Sequence, residues 1–145
     1  MKSANGFTLM EVLVVMGIIA VLAAITIIAI NPSRQFAQAN DTQRMSNVNA
    51  ILNAIGQNIA DNKGVLTGCT GAALPDGTAT TTNIGTGAGL VNLEACLVPT
   101  YLPAMPFDPV GGTGADTKYF VAKFPSGRYA VSATGEITNP IQVVR

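Results

Sequence analysis

The chain of 145 residues contains no histidine, and only 11% of its residues are charged. The absence of histidine excludes Ser-His-Asp and Cys-His nucleophile systems and every metal site that needs imidazole. The two cysteines, Cys69 and Cys96, are too few for a zinc site of four thiolates. The sequence also contains no phosphate-binding glycine loop and no paired carboxylates. We therefore expect a protein that is not an enzyme and that holds no metal and no cofactor.

Apolar residues make up 48% of the chain and are concentrated near its start. Residues 12–33 contain no charged side chain, and residues 12–30 read VLVVMGIIAVLAAITIIAI. As a helix this run would rise about 28 Å, which matches a bilayer core of about 30 Å. The alternative is a buried core helix, but a domain this small has no room to surround such a segment. The run therefore predicts a transmembrane helix.

The same run could also be part of a cleaved signal. A secretory signal has a basic start, an apolar region of about 7–15 residues and a small-x-small cleavage site. Here Lys2 is the only basic side chain before the run, and the run is longer than that apolar region. An Ala-x-Ala triplet ends at Ala39, where cleavage would release a secreted soluble domain. The length of the run favours a retained span.

The first sixteen residues carry a more specific pattern, MKSANG followed by FTLMEVLVVM. Glu11 lies at the edge of the predicted span, where an ionisable side chain is costly and usually functional. A simpler interpretation is a carboxylate at the lipid headgroups, favoured by the helix dipole. Lys2, the run GFTLME that ends at Glu11, and the apolar span resemble the signal of type IV prepilins and type II secretion pseudopilins. Met10 departs from that pattern, since the family more often has isoleucine or valine there.

The resemblance implies a processing route and a set of partners. A prepilin peptidase would cleave between Gly6 and Phe7 and N-methylate the new amine of Phe7. Glu11 would then pair with the N-terminal amine of a neighbouring subunit during assembly. The expected product is a homo-oligomeric type IV pilus-like filament, built with an inner-membrane assembly platform and an assembly ATPase. The subunit would lie in the inner or cytoplasmic membrane before assembly and in an extracellular or periplasmic filament afterwards.

Two other functions fit the same pattern. The first is a pseudopilin of a type II secretion system. It is supported by residues 97–109, a proline-rich stretch similar to one in major pseudopilins. The second is a monomeric, single-span anchored binding module, which would need neither cleavage nor methylation.

Beyond the span, the sequence predicts a second helical half over residues 31–63. Pro32 interrupts the apolar run, so the helix either kinks there or ends and restarts with Ser33 near the new N-cap. An apolar stripe then recurs at spacings of three and four, which predicts an amphipathic helix. The stripe consists of Met45, Val48, Leu52, Ile55 and Ile59. Gly64 is the expected stop.

Residues 64–116 hold ten of the chain's fifteen glycines, and residues 67–89 are rich in threonine, glycine and alanine, a composition that predicts loop rather than packed core for this region. The resemblance to pilins implies that this is the variable loop after the long helix. Cys69 and Cys96 enclose 28 residues of this region. A head outside the cytoplasm would favour a disulfide between them, and the alternative is two buried free thiols.

Three further patterns have a functional and a simpler interpretation. Some related pseudopilins bind calcium, for which Asp108 and Asp116 are the local candidates, but two carboxylates are few and solvated loop residues are favoured. Three basic residues, Lys118, Lys123 and Arg128, could contact DNA, although strand-edge charges that oppose aggregation are favoured. The sequon that begins at Asn40 predicts glycosylation only weakly. Eight basic residues balance eight acidic ones, so nucleic acid is not an expected partner.

The C-terminal residues 117–145 alternate in polarity around short glycine-containing turns. Residues 117–124, 128–134 and 137–144 therefore predict an antiparallel meander. One face of such a sheet needs a cover, which the apolar stripe of the second helical half can supply. The expected fold is α+β. It has a leader over residues 1–6, a membrane-spanning helix over 7–30 and an amphipathic half packed on a small β-sheet head.

Overall fold

A computed structural model describes residues 6–74 and 81–145 of the chain. Lys2 and most of the predicted leader lie outside the described residues, as does part of the glycine-rich region. The chain divides into two compact units between Phe36 and Ala37. We call the second unit, residues 37–145, the head.

The first unit contains helix α1, Leu9–Ile30, which has 22 residues. Thr8 caps its N-terminus with an extended backbone conformation, and Asn31 ends it in the left-handed region at φ 46°. Asparagine tolerates that region better than other non-glycine residues. No residue of α1, all of which the structure describes, is buried. The helix is long and apolar enough to cross a membrane.

Helix α2, Pro32–Asp61, begins directly after Asn31. Proline is tolerated there because the first residues of a helix have no intrahelical partner for their N–H groups. The carbonyl of Asn31 accepts the N–H of Arg34 at 3.1 Å, and its side chain accepts the Ser33 hydroxyl at 2.8 Å. Of the two alternatives at Pro32, the helix ends and restarts. Asn31 rather than Ser33 precedes the first helical residue.

Within the head, one face of α2 packs into the core. Val48, Ile51, Leu52 and Ile55 are almost completely buried. The two ends of the predicted stripe differ, since Met45 is exposed and Ile59 only partly buried.

The strands of the described residues are β1 (Thr70–Gly71), β2 (Thr82–Asn83), β3 (Val91–Asn92), β4 (Tyr119–Lys123), β5 (Tyr129–Ala133) and β6 (Ile141–Val144). The main sheet has four antiparallel strands in the spatial order β2-β4-β5-β6. Its register pairs Val121 with Val131 and Val131 with Val143, so three valines face the same side. A separate two-stranded ladder joins β1 to β3.

The composition of residues 64–116 predicted loop rather than core, and that prediction was wrong for the segment around β3. Ile84, Val91, Leu93 and Leu97 are all fully buried, the last in the one-turn helix α3, Glu94–Leu97. The prediction depended on the overall composition of the segment, so the few apolar residues among its glycines and threonines were not recognised as core residues.

Two glycines of this segment serve close packing. A Cβ atom at Gly71 would clash with the carbonyl oxygen of Leu90, and one at Gly85 with that of Ala115. Glycine thus lets backbone segments approach each other here, a use that composition cannot distinguish from flexibility.

The predicted fold class is confirmed. A long apolar N-terminal helix precedes an α+β head, in which α2 supplies buried side chains to the same core as the antiparallel sheet.

Candidate functional site

The start of α1 is built around a reciprocal pair of hydrogen bonds between Thr8 and Glu11. The Glu11 N–H donates to Thr8 Oγ1 at 3.2 Å. In return, Glu11 Oε2 accepts the Thr8 backbone N–H at 3.1 Å and the Thr8 hydroxyl at 3.2 Å. This is a capping box, which satisfies N–H groups that the first turn of a helix otherwise leaves without partners.

The capping box fixes the Glu11 carboxylate on its own first turn. Gly6 and Phe7 precede the helix, and both are exposed, with Phe7 at 88%. The bond between them is therefore accessible to a processing enzyme. Gly6, Phe7 and Glu11 were candidates from the sequence, whereas the capping role of Thr8 was missed, although the spacing Thr-x-x-Glu is a sufficient signal for it.

Apart from Glu11 and Thr26, the surface of α1 is apolar around its circumference. An open hollow of about 450 Å³ lies on one face of its first half, and Glu11 supplies the only charge among its lining residues. A helix that is apolar all round requires a membrane or other helices around it. The hollow is lined by Phe7, Glu11, Val12, Val15, Met16 and Ile19.

The structure contains the disulfide between Cys69 and Cys96. The buried side chain of Asn58 in α2 forms hydrogen bonds to the backbone at Cys96 and near Cys69. Its side-chain amide donates to the carbonyls of Thr67 at 3.3 Å and Cys96 at 3.2 Å, and its oxygen accepts the Thr67 N–H at 3.1 Å. Asn58 was missed because an asparagine on a helix is usually solvated.

Asp108 is neither a solvated loop residue nor free to bind calcium. Its buried carboxylate receives a bidentate pair from Arg44, with Nε to Oδ2 at 2.6 Å and Nη2 to Oδ1 at 3.0 Å. Asp116, the other calcium candidate, pairs with Lys118 at 2.6 Å. Among the described residues, no group of three or more histidine, cysteine, aspartate or glutamate side chains could hold a metal ion.

Arg44 is the centre of a larger ionic cluster that the sequence analysis did not identify. Its Nη1 donates to Asp41 Oδ1 and to Glu136 Oε1, each at 2.9 Å. The Asp41 carboxylate also accepts three consecutive backbone N–H groups, from Glu136, Ile137 and Thr138, at 2.8–2.9 Å. These contacts fix the turn between β5 and β6 to the part of α2 that contains Asp41 and Arg44.

The cluster lowers the pKa of both buried aspartates. Burial alone would raise the pKa of Asp41, but the three backbone N–H donors and Arg44 stabilise its carboxylate more. Burial acts in the same direction on Asp108 and is likewise outweighed, here by Arg44 and the Val110 N–H. Both groups are thus held as carboxylates, which a buried arginine requires.

The candidate DNA-binding residues lie at opposite ends of the sheet, and the candidate glycosylation residue is already hydrogen-bonded. Lys118 lies before β4 and is paired with Asp116, whereas Lys123 ends β4 and Arg128 precedes β5 at the opposite end of the sheet. These three side chains therefore do not form one patch. Asn40 donates its amide to Glu136 at 3.0 Å.

The comparisons with known proteins agree with the N-terminal geometry. A family model described as the prokaryotic N-terminal methylation motif matches residues 1–30, which include Gly6, Phe7, Glu11 and all of α1. Searches of the curated proteins and of the solved structures found no match. The chain carries the prepilin signature of the type IV pilin and pseudopilin family.

Proposed function

We propose that the chain is the structural subunit of a type IV pilus-like helical filament. The observation that carries the proposal is the coincidence of the methylation motif with α1. Apart from the terminal Glu11 carboxylate, that helix presents only uncharged side chains, none of them buried within its own chain. Such a helix suits storage in a membrane and later packing against copies of itself. Its role is structural rather than catalytic.

Processing would create the charge that Glu11 needs. A prepilin peptidase hydrolyses the bond between Gly6 and Phe7 and methylates the new amine, which stays cationic. Phe7 then lies four positions before Glu11, at the start of the same helix. An inner-membrane platform and an assembly ATPase would move the subunit from the membrane into the filament.

Within a bundle of apolar helices, Glu11 would select the register. An unpaired carboxylate there is penalised by several kcal/mol. In the monomer, the carboxylate is partly satisfied by Thr8. Pairing with the amine of a neighbouring subunit satisfies it further, and a subunit in another register forfeits that pair.

The second candidate is a pseudopilin of a type II secretion system. It shares the signature, and residues 97–109 favour it through their similarity to a proline-rich segment of major pseudopilins. The subunit chemistry would be the same, and the filament would remain in the periplasm.

Mass determination of the mature N-terminus tests the proposal. The full chain is expressed with a prepilin peptidase and the assembly machinery. We expect a product that begins at Phe7 and carries one added methyl group. A product that begins after Ala39, or an uncleaved and monomeric chain, would contradict the proposal.

A pair of variants tests the role of Glu11. We expect Glu11→Val to be cleaved normally and to assemble poorly. The matched control is Glu94→Val, which removes an exposed glutamate of the head and should assemble normally. Assembly of Glu11→Val at the wild-type rate and register would exclude the proposed role of the carboxylate.

A further inference from the structure

The charged residues at the ends of the long strands are sorted by sign. Where β4 begins and β5 ends, the ion pairs of the described residues bring together four carboxylates and two cations: Asp41, Asp108, Asp116 and Glu136 with Arg44 and Lys118. We call this the acidic end of the head.

At the opposite end of the sheet, the charged side chains at the described ends of β4, β5 and β6 are all positive. Lys123 ends β4 and Arg128 precedes β5, and the backbone of Arg145 pairs with Tyr129 at the start of β5. We call this the basic end.

The acidic end presents a short, firmly held projection. Ile137 is 48% exposed, and the side chain of the adjacent Glu136 is 39% exposed. The turn that carries them is fixed by the three N–H groups bound to Asp41 and by the Arg44–Glu136 ion pair. Because its conformation is already fixed, it would lose little entropy on binding.

The basic end presents an apolar groove of about 300 Å³ between α2 and the turn that joins β4 to β5. Its floor is aliphatic and aromatic, and two arginines stand among its lining residues. Each guanidinium has five N–H donors, more than its contact with Ser126 or Asn53 uses. The lining of this groove includes Leu52, Ile55, Ile59, Tyr129, Arg128 and Arg145.

We propose that this groove receives the Glu136–Ile137 turn of a second copy of the chain. Ile137 would enter the apolar floor, and Glu136 would meet Arg128 and Arg145. The two surfaces are complementary in charge and in polarity. The turn presents a carboxylate next to an aliphatic side chain, and the groove presents two arginines next to an aliphatic floor. The inference rests on the proposed filament function and names the contact between heads.

The positions of the turn and the groove determine the type of assembly. Asp41, which holds the turn, and Ile55, which lines the groove, are fourteen positions apart on α2, about 21 Å along the helix. A copy therefore cannot fill its own groove, and each copy offers one turn and one groove. Such a heterologous contact does not close as a two-fold dimer; it builds a ring or an open chain of subunits, and the proposed filament requires the open chain.

A cysteine pair tests the contact in assembled filaments. A Cβ atom at Gly56 of the groove meets nothing within 4 Å, so Gly56→Cys fits. The full chain with Gly56→Cys and Ile137→Cys is assembled, sheared from the cells and treated with a mild oxidant. A disulfide forms only when Cα atoms come within about 7 Å. We expect a ladder of dimers, trimers and longer species on a non-reducing gel, whereas either single variant gives none beyond dimers.

The outcomes separate this contact from the filament function. Filaments of the double variant without a ladder would overturn the contact and leave the filament proposal standing. A wild-type chain that forms no filaments would overturn both.

If the double variant does not assemble, the contact is tested instead by placing a charged side chain at position 137. Ile137→Lys should lower filament yield about tenfold, because its ammonium group would enter an apolar groove beside two arginines. The control, Val65→Lys, changes an apolar residue that is 60% exposed and outside the contact, and should keep the wild-type yield. Equal yields of the two variants would overturn the proposal.

Discussion

At the residue scale, Arg44 is a buried cation whose charge must be compensated by neighbouring carboxylates. It is 3% exposed and bonds to three carboxylates, that of Asp41 on its own helix and those of Asp108 and Glu136 from distant parts of the chain. Removing one partner of a buried ion pair leaves the others uncompensated, at a cost of about 3–5 kcal/mol. We predict that Arg44→Ala lowers the free energy of unfolding by that amount, measured by chemical denaturation of the full chain in detergent.

The control for Arg44 is Arg34→Ala, which removes an exposed arginine from the same helix. That change should stay within about 0.5 kcal/mol of the wild type. A loss below about 1 kcal/mol for Arg44→Ala would show that the cluster is not a major source of stability.

The two buried aspartates predict how stability depends on pH. Their folded pKa values lie below the value of about 3.9 for an unfolded aspartate. Such groups stabilise the fold fully above that value, and the contribution is lost as pH falls towards their folded pKa values. We therefore predict a plateau of stability above about pH 5 and a progressive loss below about pH 4.

The variant Asp41→Asn checks the origin of this acid sensitivity. Asparagine keeps a carbonyl oxygen for the backbone N–H groups but does not titrate. Its unfolding free energy should be lower than that of the wild type at pH 7 and should fall less between pH 5 and pH 2. An unchanged slope would place the sensitivity in other carboxylates.

At the element scale, the disulfide ties the loop after α2 to α3. In the chain-entropy model, closing a loop of 28 residues stabilises the fold by about 3.5 kcal/mol. We predict a loss of this size for the double variant Cys69→Ser, Cys96→Ser, measured by thermal unfolding. Reductant should destabilise the wild type by a similar amount and leave the variant unchanged. A wild type insensitive to full reduction would contradict the prediction.

The helices and strands also show which parts of the fold could be predicted from the sequence. The three long strands and the centre of the α2 stripe were predicted because their pattern depends on local periodicity. The two-residue strand β2 was not, since its pairing with Val121 depends on residues nearly forty positions away. The salt bridge between Arg44 and Asp108 was missed for the same reason. An arginine among polar helix residues has no local feature that indicates burial.

The N-terminal signature could be identified from the sequence because the residues that carry it, from Gly6 to Glu11, are contiguous. The proposed processing of this segment depends on the same linear pattern. Only the role of Thr8 was missed, which is a matter of local capping rather than of distant contacts.

At the scale of the whole molecule, the two units depend on different surroundings. All buried residues among those described lie in the head, whereas every residue of α1 is exposed. The stability of the head should therefore not depend on α1, and polymerisation should depend on it completely.

Deleting α1 tests this division. We predict that residues 37–145 alone form a soluble monomer with the Cys69–Cys96 disulfide intact. Their unfolding free energy should match that of the full chain within about 0.5 kcal/mol. Size-exclusion chromatography and chemical denaturation give the two measurements, and Arg44→Ala in this fragment should lose as much stability as in the full chain. A fragment that unfolds or aggregates would show that the head needs α1, and one that polymerises would place the driving force for assembly in the head.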